Sequence, residues 1–266
     1  MTIAFLNGQP ATADDLRALA ISNYGHFTSM PVRGGAVRGL DLHLQRLREA
    51  TAELFATELD EARVREALRH ATRMAQGDGS LRLTVFSRDF DYRQPLQSVP
   101  LDLLTTWSPP APPSVALRLK SYPFVRPLPQ IKHVATFPLF HYRRLARLAC
   151  FDDALFVEGA GPQAAVVEGT VWNLGLWDGQ GIVWPQGPAL RGTSERMLQS
   201  GLERIGVPQQ WRRVRLDELA GFSGAFAANA SQIQLIAEVD GQALPQPPEL
   251  DDLLIRALAQ TPWLPL

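Results

Sequence analysis

The chain has 266 residues, 45% of them hydrophobic, enough to bury the core of one large domain or two modest ones. Its 26 basic residues nearly balance its 27 acidic ones, and the formal charge of −1 argues against a general polyanion-binding role such as nucleic-acid binding. No apolar run approaches the ~20 residues of a membrane span, the opening "MTIAFLNGQPATADDL" lacks the pattern of a secretory signal, and a single cysteine excludes an intrachain disulfide, so a cytoplasmic protein is expected.

In chain order, "TIAFLNG" and "MPVRGGAVRGL" read as short strands broken by glycine turns. Residues 41–55 place Leu42, Leu44, Leu47, Ala50 and Leu54 at largely helical spacing, with Asp41 as the N-cap. "DEARVREALRHATRMA" is a second helix with Arg/Glu pairs on a solvated face. "SLRLTVFSRDF" alternates Leu81, Leu83 and Val85 against Arg82, Thr84 and Phe86, the pattern of a half-buried strand. Four prolines in "WSPPAPPS", residues 107–114, forbid helix and mark an extended connector, which divides the chain into 1–110 and 111–266.

Beyond it, "SVALRLKSY" alternates again and turns Arg118 and Lys120 to solvent. A proline-rich loop leads to the helix-like "FHYRRLARLACF", where Cys150 reads as a buried packing residue. "DALFVEGAG", "AAVVEGTVWNLGLWDG" and "GIVWP" form a run of strands and turns. "TSERMLQSGLERIG" is a well-marked helix with a Thr/Ser start, an acidic first turn and a terminal glycine. "SGAFAANASQIQLIAEVDGQAL" is a strand, a small-residue turn and a further strand, and "PELDDLLIRALAQ" is a last amphipathic helix. Both halves are α+β, the second richer in strands.

Chemistry points first to Lys132, one of two lysines beside 24 arginines. A surface lysine is the ordinary reading. Guanidinium, however, serves most surface electrostatics, whereas only a primary amine that can lose its proton forms a Schiff base. Glu168 follows a hydrophobic run, where it either caps a strand edge or is a buried carboxylate that needs a cationic partner, such as a protonated pyridine ring. Gly192-Thr193-Ser194 is either an ordinary helix start or a phosphate site of backbone N–H groups and hydroxyls. The turn "AANAS", with Asn229 and Ala230, is a weaker signal of the same kind. Arg46, beside the apolar stripe of its helix, either snorkels or makes a bidentate phosphate contact.

Together these residues are more specific than any one alone. An Arg in a His-Leu-X-Arg-Leu helix is followed by Lys132, Tyr142, Glu-Gly-Thr-X-X-Asn, Gly-Thr-Ser and a late small-polar turn. Over nearly the whole chain, from "LNGQPA" through "IAEVDG", this order resembles the class IV aminotransferases. These are the fold-type IV pyridoxal-phosphate enzymes that include branched-chain and D-amino-acid aminotransferases and 4-amino-4-deoxychorismate lyase. The resemblance implies a two-domain α+β fold, with a smaller N-terminal α/β domain and a larger strand-rich C-terminal one. It implies pyridoxal 5'-phosphate between them, no metal, and a homodimer that completes the pocket. Lys132 would form the internal aldimine and shuttle protons, and Glu168 would pair with the pyridine nitrogen. Tyr142 would contact the phenolic oxygen, although the Lys-to-Tyr gap is longer than is usual in the family. Arg46, Thr193 and Ser194 match phosphate-binding positions, Asn173 supports the site, and Asn229 and Ala230 form the late turn.

The departures fall on the substrate side. In "NYGHFTSMPV", Gly25 and Phe27 fit the family's Gly-Asp-Gly-X-Phe-Glu-Thr, but Tyr24 stands for its aspartate and Thr28 for its glutamate. Asn229-Ala230 resembles the lyase branch, and Leu235 replaces a common proline. The expected activity is amino transfer between a small amino acid and a 2-oxo acid. The alternative is elimination of pyruvate from aminodeoxychorismate. A non-catalytic module that uses "HYRRLARLA" and "WRRVRL" to hold an acidic partner is the remaining reading.

Overall fold

The computed structural model describes residues 3–75, 77–110, 112 and 115–266. The chain packs into two compact units, one of residues 1–112, 131–135 and 262–266, the other of residues 113–130 and 136–261. Part of the proline connector (residues 111, 113 and 114) lies outside the described residues.

The first unit is built from β1 (Ile3–Leu6), β2 (Gln9–Pro10), α1 (Arg17–Ser22), β3 (His26–Val32) and β4 (Ala36–Arg38). It continues with α2 (Leu40–Phe55), α3 (Glu61–Ala75), β5 (Gly79–Phe86) and β6 (Asp102–Ser108). The strands form an antiparallel sheet in the order β2-β1-β6-β5-β3. Leu44 and Leu47 of α2 and Val64 and Leu68 of α3 pack on Met30, Leu81, Leu83 and Val85, all of them buried. Each such side chain contributes about 1.5–3 kcal/mol by leaving water. Helix α2 starts at Leu40, with Gly39 in the cap position, so Asp41 lies in the first turn and does not cap it. The alternation in β5 is only half obeyed, because Thr84 and Phe86 are buried as well.

The second unit opens with β7 (Leu117–Pro123), α4 (Phe137–Leu148), β8 (Asp153–Glu158), β9 (Ala165–Gly169), β10 (Asn173–Trp177) and β11 (Ile182–Pro185). It goes on through α5 (Thr193–Arg204), β12 (Gln209–Arg212), a 3-10 turn at Leu216–Gly221, β13 (Gly224–Ala228), β14 (Ile233–Val239), β15 (Gln242–Ala243) and α6 (Pro248–Ala259). Its sheet runs β12-β11-β10-β13-β14-β7-β8-β9, with β15 paired to β14. Helices α5 and α6 cover Ile182, Trp184, Phe226 and Ala228, while Leu119, Leu155, Leu174 and Ile236 belong to a second cluster. A last strand, β16 (Trp263–Pro265), pairs with β4 in the first unit. Among the described residues no helix is long and apolar enough to cross a membrane.

Candidate functional site

In the first unit Lys132 lies on a short extended segment pinned to the start of β3. The Phe27 N–H donates to the Lys132 carbonyl at 2.9 Å, and the Val134 N–H donates to the Gly25 carbonyl at 3.0 Å. His26 and His133 form the bridge between these bonds. Ile131, 1% exposed, anchors the segment in the core. Gly25 lets the start of β3 lie close against β5: its φ is +152°, and a Cβ there would lie 2.7 Å from the Val85 carbonyl oxygen. Two cations share the Phe27 ring. Lys132 Nζ lies 5.0 Å from its centroid and the Arg82 guanidinium carbon 3.5 Å. Burial pushes Arg82 down to about 10, which still leaves it charged at neutral pH.

Arg46 shares the buried face of α2 with His43 and is 9% exposed. His43 Nδ1 is 2.6 Å from the Thr28 hydroxyl oxygen. Burial, reinforced by the charges of Arg46 and Lys132, pushes His43 down to about 3 and keeps it neutral. The family's two missing carboxylates are therefore replaced by local packing. Thr28 holds His43, and Tyr24 donates to the Leu54 carbonyl at 2.7 Å while stacking on Phe90.

In the second unit a run of hydrogen bonds joins Glu168, Asn173 and the start of α5. Glu168 is buried at the end of β9, and its Oε1 accepts from Arg126 Nε at 3.0 Å, with both side chains 3% exposed. Its Oε2 accepts from the Leu190 N–H at 3.2 Å. Asn173 Nδ2 donates to the Leu190 carbonyl at 2.6 Å, and Asn173 Oδ1 accepts from the Gly192 N–H at 3.1 Å. Thr193 and Ser194, both buried, then open α5. The first N–H groups of a helix have no intrahelical partner, and they carry the positive end of its dipole. Glu195 in this first turn accepts from the Gly192 N–H, and burial raises its pKa against the pull of Arg191.

The late turn is next to this run, because Asn173 is the cross-strand partner of Ala228. Asn229 Oδ1 accepts from the Ser231 and Gln232 N–H groups at 2.8 and 3.1 Å, so its side chain shapes its own turn, with Ala230 inside it. Tyr142 packs among Tyr122, Phe124 and Phe156, and Phe156 is the cross-strand partner of Glu168. Lys120, in contrast, makes a part-exposed ion pair with Asp240 at 2.9 Å. Cys150 is exposed, not buried, because α4 has ended and the chain turns there with a φ of +64°. Sequence reasoning missed Arg126 and the Thr28–His43 pair. Arg126 opens the stretch that ends in Lys132, but nothing in "RPLPQIK" says that its arginine is buried. Of the six arginines in "HYRRLARLA" and "WRRVRL", Arg144 is exposed and the other five, Arg143, Arg147, Arg212, Arg213 and Arg215, each pair with a carboxylate, so the runs are mostly neutralised.

The sequence profile of the amino-transferase class IV family matches residues 25–239. This chain belongs to the class IV aminotransferases. It is a pyridoxal-phosphate-dependent enzyme of fold type IV, and the binding-module reading falls. Solved structures share its fold throughout. A hypothetical aminotransferase from Mycobacterium tuberculosis, in its apo form, is 23% identical with a TM-score of 0.81, covering 97% of this chain and 98% of that one. That protein has also been solved with pyridoxal phosphate, and with alpha-ketoglutarate and the amine form of the cofactor. A fold IV transaminase from Curtobacterium pusillum is 21% identical with a TM-score of 0.80, covering 97% and 98%. A putative 4-amino-4-deoxychorismate lyase from Legionella pneumophila is 21% identical with a TM-score of 0.79, covering 95% and 96%. A search of curated proteins gives no match.

The residues of this aminotransferase fit its cofactor. A buried carboxylate paired with Arg126 suits a ring N–H, and the start of α5 suits a phosphate. Lys132 is a primary amine at the end of a tethered backbone.

Proposed function

We infer that this aminotransferase moves an amino group between a small amino acid and a 2-oxo acid, with Lys132 as the residue that holds the cofactor covalently. When bound, pyridoxal phosphate supplies an electron sink for the carbanion formed at the substrate's α carbon. Lys132 Nζ would then serve as the base that takes the α proton and as the acid that returns it. Glu168, paired with Arg126, would receive the ring N–H and so favour the protonated ring. Thr193 and Ser194 would hold the phosphate, Arg46 is the further phosphate ligand that the family resemblance implies, and Asn173 and the Asn229-Ala230 turn shape the α5 end of the site. Tyr142, packed on Phe156 next to Glu168, would contact the phenolic oxygen. The observation that carries the proposal is the unbroken run from Glu168 through Leu190 and Asn173 to Gly192. It ties a carboxylate for a ring nitrogen to a helix start for a phosphate.

A homodimer and a cytoplasmic location complete the proposal, the former supported by the exposed Phe137, Phe140 and Leu148 of α4. The division into domains at residues 110 and 111 also belongs to it. The two compact units support two lobes, with residues 131–135 and 262–266 grouped in the first. The lyase reading is second, favoured by the Asn229-Ala230 turn. The deciding experiment offers a panel of amino donors to the pure enzyme and follows the amine form of the cofactor, with pyruvate release from aminodeoxychorismate assayed separately. Amino transfer predicts that an accepted donor accumulates the amine form. Pyruvate release with no amine form from any donor sinks that reading in favour of the lyase.

A further inference from the structure

Asp153 opens β8 and is 4% exposed, yet it lies outside the residues given to the cofactor. Its carboxylate is surrounded by donors. Arg143 of α4 reaches it twice, Nε to Oδ1 at 3.1 Å and Nη2 to Oδ2 at 2.7 Å. The Thr170 hydroxyl donates to Oδ1 at 2.8 Å, the Trp172 indole N–H to Oδ2 at 3.0 Å, and the Ala154 N–H to Oδ1 at 2.8 Å. Arg143 Nη2 also donates to the Thr170 oxygen at 2.8 Å, which closes the network. A carboxylate offers about four lone-pair positions, so this one is saturated, and only an ionised acid can accept from every neighbour.

Two of these donors, Thr170 and Trp172, belong to the turn between β9 and β10. That turn separates Glu168 from Asn173, and it closes with the Gly169 N–H on the Trp172 carbonyl at 2.9 Å. We propose that Asp153, held by Arg143, is a positioning residue that fixes this turn and so aims the Glu168 carboxylate at the cofactor's ring nitrogen. The proposal rests on the reading of Glu168 given above. Arg143 balances the charge of Asp153, so the influence on Glu168 is geometric: the network sets where β9 ends. An indole and a hydroxyl whose donors converge on one buried carboxylate leave the four residues after Glu168 little freedom to shift.

Asp153→Asn sets N–H groups against a shell of donors and can prevent folding, so the test uses Trp172→Phe and Thr170→Val, each of which deletes one donor. The apo proteins are titrated with pyridoxal phosphate and with an analogue whose ring nitrogen is replaced by a C–H group, alone and combined with Glu168→Gln. We expect each variant to weaken pyridoxal phosphate on the order of tenfold, leave the analogue within about twofold, and add nothing once Glu168→Gln is present. Equal losses for both cofactors, full additivity with Glu168→Gln, or no loss at all would overturn the proposal. If Glu168→Gln alone leaves pyridoxal phosphate binding unchanged, the reading of Glu168 fails first and takes the proposal with it.

Discussion

His26 and His43 are buried neutral beside the segment that carries Lys132, and burial pushes each from 6.5 down to about 3. The unfolded chain therefore takes up protons below pH 6.5 that the folded chain refuses. Their contribution is complete above pH 6.5 and is lost as the pH falls from there toward 3, by about 1.4 kcal/mol per pH unit for each histidine. Urea unfolding from pH 7 to pH 4 should show that slope, and His43→Gln should flatten it by one histidine's share. Parallel slopes for the two proteins would contradict the assignment. The same scale shows what a sequence reveals about single residues. The scarcity of lysine raised two positions, the alternation of its strand turned Lys120 to solvent, and the structure agrees, because Lys120 is a part-exposed partner of Asp240 while Lys132 is tied to Gly25 and Phe27. Arg126 was illegible for the converse reason. It is one of many arginines, and only tertiary packing shows that it pairs with Glu168 out of water.

Elements were legible where local chemistry is strong. The helix at Thr193–Arg204 announced itself by its start and periodicity, and the strands around Glu168 by their apolar runs. Strand β6, "DLLTTWS", went unread because its pattern is not alternating, yet it pairs with both β1 and β5 inside the first sheet. Helix α1 went unread because its six residues include no buried one, so it leaves no periodic stripe. Helix packing supplies a prediction at this scale. Gly201 lies mid-helix in α5, where alanine ordinarily gains about 1 kcal/mol over glycine. Here a Cβ would run into the carbonyl oxygen of Ala257 on α6, and backbone cannot move aside cheaply. Overpacking of about 1–3 kcal/mol should win. Gly201→Ala is thus expected to lower the thermal midpoint, and a midpoint equal to or above that of the parent would show that the two helices have room to part.

At the scale of the whole molecule, composition gave the class of protein and little more. A near-neutral chain with many arginines could have been a binding surface. Its cationic runs are instead mostly matched by carboxylates, and the family profile spans residues 25–239. What composition could not convey is the grouping of residues 131–135 with the first unit, since that depends on two backbone hydrogen bonds to Gly25 and Phe27. Lys132 is the proposed attachment point of the cofactor. Its most direct test is borohydride reduction of the pure, cofactor-loaded enzyme, followed by peptide mapping. The label should lie on Lys132, and Lys132→Arg, which keeps the charge but not a reactive amine, should take up none and lose activity. A label on Lys120 or elsewhere, or full turnover by Lys132→Arg, would contradict it.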